Sequence, residues 1–130
     1  MEFAIQKLAV VSLFVIGLSH IFQPKAWAVF FEYLVSKGNT GSFINAFIHL
    51  PLGVLIVAFH HVWSGIPVVL TILGYAWTLK ALIYFLFPAF GVRSMSRVSP
   101  DKPAGFVVAG VAMLLVAGLL VYSLFTGSSG

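Results

Sequence analysis

Asn45, His49 and His60 are polar residues in an otherwise apolar stretch. With Gly53 and Ile56 they recur at steps of four, four, three and four. At 100° per residue this spacing places all five on one stripe of a helix, so the three polar side chains face one interhelical space. His49 and His60 stand 11 residues apart, roughly 16 Å along a helix, too far to share one metal ion. A second stripe joins Gln6, Gly17 and His20. His20 ends its apolar segment and His49 lies early in the next, which directs both toward the same membrane face and permits a His20–His49 pair between helices. Two imidazoles can ligate a haem iron, bind a transition metal or relay protons near neutral pH, and Gly17 and Gly53 leave room beside them.

The plainer use of Asn and His in a bundle is interhelical hydrogen bonding, worth about 0.6 kcal/mol per bond. For His20 and the His60-His61 pair, an interfacial position near a span end is the stronger expectation. Against this stands the rule that an ionisable residue inside a span is by default a functional candidate. Lys80 snorkels toward the near surface in the simple reading. In the sharper one it joins Tyr84, one turn on, and Glu32 in a site for an anionic headgroup or substrate, on a face that also carries Trp77. The candidate set is therefore His20 and His49 for a cofactor, and Asn45, His60, Lys80 and Tyr84 for a substrate, with no dedicated metal site.

These residues need helices to hold them, and the composition names the solvent. Hydrophobic residues make up 61% of the chain and charged residues 8%, against roughly 25% charged in a soluble domain. No water-soluble surface can be built from that. Spans of about 20 apolar residues are expected over residues 3–22, 43–63, 67–87 and 104–125. The fold class is all-α, a single polytopic membrane domain. Between the first two spans, residues 24–37 mix Trp27, Phe30, Phe31 and Tyr33 with Lys25, Glu32 and Lys37, and Pro24 suits a first helical turn. This segment is expected to be a short interfacial helix with an aromatic belt.

The connections follow from Gly, Pro and charge. Residues 38–42, Gly-Asn-Thr-Gly-Ser, read as a turn, Pro51 as a kink in span two, and residues 64–67 as a tight reversal that makes spans two and three an antiparallel hairpin. Residues 88–91 are expected to end span three, with a solvent-facing loop over 93–102. Span four carries clustered small residues, Gly105, Ala109, Gly110, Ala112, Ala117 and Gly118, as a packing surface, and residues 126–130 read as a flexible tail. The first segment is kept as a retained helix, because Ser19-His20-Ile21 lacks the small-x-small ending of a cleaved signal.

Seven Lys+Arg against three Asp+Glu give a net charge of +4, but the basic residues lie singly between apolar runs, which argues for topology signals and against nucleic acid. Lys25, Lys37, Arg93, Arg97 and Lys102 all lie in the connections after spans one and three, so those connections are expected on the cytoplasmic side. Lys7 pulls mildly the other way. The short, compact, cysteine-free design favours a bacterial inner membrane. Absent cysteine removes disulfides, thiolate nucleophiles and Cys-based clusters. No span holds Asp or Glu in its interior, which disfavours carboxylate-driven proton antiport, and no Walker, serine-hydrolase or HExxH motif occurs.

The plan of four short spans with Gly and Pro at the hinges broadly resembles DoxX-type small bacterial membrane proteins, a likeness of architecture that assigns no function. Two functional expectations follow from the residues. One is an accessory or binding subunit of a larger membrane assembly, or of a homo-oligomer, holding a haem or quinone near His20 and His49. The other is a small-solute transporter or membrane-embedded enzyme acting through Asn45, His49, His60 and Lys80.

Overall fold

A computed structural model describes residues 1–127 and is all-α over them. Four helices are long and apolar enough to cross a membrane: α1 (Glu2–Phe22), α3 (Asn39–Phe59), α4 (Val68–Leu86) and α6 (Ala104–Thr126). Two shorter helices, α2 (Pro24–Ser36) and α5 (Pro88–Met95), follow the first and third of them. The chain runs up and down. It packs as two antiparallel pairs, α1 with α6 and α3 with α4, while α2 and α5 lie across the end where α1 and α4 finish and α3 and α6 begin.

In lipid no hydrophobic force draws one helix to another, so close backbone approach at small residues must do it. Each pair has such a crossing. A Cβ built on Gly110 would stand 2.6 Å from Gly17 O and 2.9 Å from the His20 Cβ, so α1 and α6 touch backbone to backbone. In the other pair, a Cβ on Gly53 would meet Thr78 Oγ1 at 2.8 Å, and one on Gly74 would run into Ile56. Only part of the small-residue cluster on α6 serves this contact: Gly110 and Ala117 are buried, whereas Gly105, Ala112 and Gly118 face outward. A 23-residue helix with one neighbour along most of its length has one packed stripe and a broad lipid face.

Span two begins four residues earlier than expected. Gly38, at φ 60°, makes the corner alone, and Asn39 to Ser42 already form the first turn of α3. The small residues there serve packing. Gly41 lies against the Leu34 carbonyl, and the buried Ser42 donates a hydrogen bond to Tyr84 O at 2.9 Å, satisfying one of the carbonyls left over at the end of α4. At its other end α3 stops at Phe59, short of the expected Trp63, and runs unbroken through Pro51. The expected stop at residues 88–91 is a new helix start, since Pro88 fits a first helical position as well as it ends the preceding helix. Span four continues to Thr126, where Gly127 adopts a left-handed cap; the rest of the expected tail, residues 128–130, lies outside the described residues.

Two apolar clusters lie at opposite ends, the first joining the two pairs and the second fixing α2 and α5 on α3 and α4. Ile5, Ala9, Ile56, Leu70 and Leu120 pack together near the end holding the chain's N-terminus. Leu34, Ala46, Ala81, Tyr84 and Met95 pack beneath α2 and α5. The α1–α6 crossing yields a direct expectation: Gly110→Leu should lower the thermal midpoint of the detergent-solubilised protein, at an overpacking cost of about 1–3 kcal/mol. Gly118→Leu, with open space around its Cβ position, should leave the midpoint within the scatter of wild type.

Candidate functional site

The two predicted polar stripes are buried, His20 and His60 included, although a place at the interface near a span end was the stronger expectation for those two. Gln6, Gly17 and His20 are buried on α1, and Asn45, Gly53, Ile56 and His60 on the α3 side, with His49 half-buried among them. They do not form one site. The candidate residues divide between the two ends of the bundle.

At the end holding the N-terminus, His60 is fully buried and His61 is exposed. The helix has just ended, and with His60 extended (φ −130°, ψ 94°) neighbouring side chains point to opposite sides. His60 is therefore enclosed by the bundle while His61 points away from it. His60 sits in a chain of bonds whose direction is determined. Thr71 donates its single hydroxyl proton to Val62 O at 2.7 Å. Toward His60 Nδ1, 2.9 Å away, Thr71 Oγ1 can then only accept, so Nδ1 carries the imidazole proton. The bare Nε2 accepts from Gln6 Nε2 at 3.1 Å. This chain ties α1 to α3 and α4 and holds the ring neutral. Sequence reasoning missed Gln6 and Thr71 as the partners of His60, although a polar residue inside a span was itself the signal.

At the other end, beneath α2, lies a cavity of about 140 Å³ between the two helix pairs. His20 and His49, expected as a pair, both line it, together with Asn45. Its walls are aromatic. Trp27, Phe30 and Phe31 come from α2, and Trp77 from the middle of α4. Three of the four aromatic residues expected as a belt on α2 thus turn inward, because α2 lies over the gap between the pairs, while Tyr33 stays exposed. Ile16 on α1 and Ile48 on α3 line the cavity and are also exposed on the apolar surface, so the mouth opens toward lipid between those helices.

Each polar group in this cavity is held in place. His20, 6% exposed, bonds through Nδ1 to Ile16 O at 2.8 Å and stacks on Trp27 with ring centroids 4.2 Å apart. Trp27 is itself anchored, donating from Nε1 to Ser19 Oγ at 2.8 Å. His49 repeats the backbone bond, Nδ1 to Asn45 O at 2.9 Å, and its Nε2 lies 3.4 Å from Lys80 Nζ. Lys80 also lies over the Tyr84 ring at 5.3 Å, so the expected Lys80–Tyr84 neighbourhood exists. Glu32 is exposed on α2. Asn45, 1% exposed, donates to Met95 Sδ at 3.5 Å, and its Oδ1 is buried without a partner.

The size of the cavity bears on what fits. An engineered apolar cavity of about 150 Å³ takes up one benzene ring. The volume here is that of a single ring and well short of a haem macrocycle, and the His49 nitrogen that would ligate iron faces Lys80. No group of three or more His, Cys, Asp or Glu side chains among the described residues is placed to hold a metal ion.

His60 stands in the connection after α3, outside the spans. Burial lowers its pKa below the ordinary 6.5, an effect opposed by the charge of Glu2 and reinforced by His61. The unfolded chain then takes up a proton that the folded protein resists, so this contribution to stability is whole above about pH 6.5 and declines as the pH falls below it. The thermal midpoint in detergent is expected to drop below that pH, and His60→Gln, which cannot titrate, should flatten that part of the decline. Compared with protein-family models, with curated proteins and with solved structures, the chain matches none of them.

Proposed function

We propose that this small polytopic membrane protein is a binding subunit that holds a lipid-soluble, single-ring compound of the quinone class in the cavity beneath α2, as an accessory to a larger membrane assembly. The observation that carries this reading is the unpartnered Asn45 Oδ1, buried beside His20 and His49 in an aromatic-walled, ring-sized space. A buried polar atom left unpaired costs about 1–3 kcal/mol, and a ligand hydrogen bond there would remove that cost. The mouth between Ile16 and Ile48 offers a way out for an apolar tail into lipid. Asn45 is six residues into α3, about 9 Å from its start, a depth suited to an amphipathic molecule whose ring sits near the membrane surface.

The alternative of transport or catalysis through Asn45, His49, His60 and Lys80 is weakened by the separate network of His60 at the opposite end. The reading also places the end bearing Lys25, Lys37, Arg93, Arg97 and Lys102 on the cytoplasmic side, in a bacterial inner membrane, by the bias of basic residues.

Binding is tested by isothermal titration of the detergent-solubilised chain with short-chain benzoquinones and hydroquinones. Ile48→Trp, which crowds the mouth from an exposed position, should weaken binding about tenfold or more. Ile72→Trp, exposed on α4 and not lining the cavity, should bind as wild type does. Failure of every ring compound to bind wild type would end this reading. Orientation is tested separately in the cysteine-free background: Ser96→Cys should react with an impermeant thiol reagent only in inverted membranes, and Ser64→Cys only in right-side-out ones.

A further inference from the structure

The polar groups of the cavity share one hydrogen-bonding sense. A backbone carbonyl only accepts, so the 2.8 Å bond to Ile16 O places the proton of neutral His20 on Nδ1 and leaves Nε2 a bare acceptor. His49 is set the same way by Asn45 O, and its Nε2 faces the Lys80 amine. Asn45 is oriented by Met95: a thioether sulfur has no proton to give, so the amide nitrogen faces it and Oδ1 is the end left over. Asn45 Oδ1, the buried atom of this cavity left without a protein partner, is therefore an acceptor, as is Nε2 of a neutral His20.

A site whose unpartnered buried oxygen accepts discriminates between ligands of nearly equal shape. A quinone offers two carbonyl oxygens, and one of these set against Asn45 Oδ1 or His20 Nε2 meets a lone pair while neither side gains a bond. A hydroquinone or phenol of the same outline donates its hydroxyl and satisfies the buried oxygen. We infer that the cavity selects a ring bearing a hydroxyl donor, an alkylated hydroquinone or phenol, over the corresponding quinone or ether. The inference rests on the reading of the cavity as a ring site and adds the ligand's hydrogen-bonding sense. It also gives Trp27 a positioning role, since its ring stacks on that of His20 and both line the cavity.

The test uses two matched pairs on the full chain in detergent: a short-chain hydroquinone and its quinone under anaerobic conditions, and a 4-alkylphenol and its methyl ether. Titration of wild type should show each hydroxyl compound binding about tenfold or more tightly than its partner. In Asn45→Leu, close in volume but without the acceptor, the preference should shrink to about twofold or less. His20→Phe, which keeps a ring against Trp27, should lower it to a smaller extent. The phenol and ether comparison needs no variant, so it decides the matter even if a substituted chain fails to fold. Quinone and ether binding as tightly as hydroquinone and phenol would overturn the donor selectivity and leave the ring site standing. No binding by any of the four compounds would overturn both.

Discussion

Two helices in a bilayer gain nothing by hiding apolar surface from each other, because the lipid around them is as apolar as they are. What holds this bundle is close contact where side chains are missing. Gly17 meets Gly110 in one pair, and Gly53 and Gly74 let α3 and α4 cross in the other. Each contact brings two backbones together and commits both helices to one partner. The pairs then meet each other over much less surface, and the space left between them at the α2 end is the cavity. The candidate site is thus a consequence of where the glycines lie.

Where the pairs do meet, polar bonds and aromatic rings supplement the packing. At one end the chain from Gln6 through His60 and Thr71 to Val62 O crosses from α1 to α3 and α4. At the other, α2 is fixed by Trp27 on Ser19 and by Phe31 against Phe106 of α6, with ring centroids 5.1 Å apart. With no water in the hydrocarbon layer, each buried donor and acceptor has to be satisfied within the protein. Among the described residues the buried oxygens left over are Gln6 Oε1 and Asn45 Oδ1. The first lies within the closed His60 network and the second in a lined cavity open toward lipid. That difference in surroundings, and not the missing bond alone, makes Asn45 the centre of the functional reading.

Much of this was legible in the chain. The apolar runs, the breaks at Pro24 and Pro67 and the low charge determine an all-α bundle of four spans with a short helix after the first, because in lipid a backbone can satisfy its own hydrogen bonds only by local coiling or barrel closure. The 3.6-residue period determines which residues share a face, so Gln6, Gly17 and His20 were already set on one side of α1, and Asn45, Gly53 and Ile56 on one side of α3. Residues 38–42 misled because glycine and serine suit a turn and a close helix contact equally well, and only the presence of Leu34 and Tyr84 opposite them decides between the two.

Tertiary structure decided the rest. That His49 joins His20, that His60 joins Gln6 and Thr71, that Trp77 faces a cavity and that Asn45 keeps a free oxygen all depend on which helices pair. A helical period fixes the direction of a side chain around its own axis but says nothing of what stands across from it, since identical apolar faces can pack in several arrangements at similar energy. The choice among them is made by contacts between residues far apart in the chain, and those contacts determine both the hollow and the chemistry lining it.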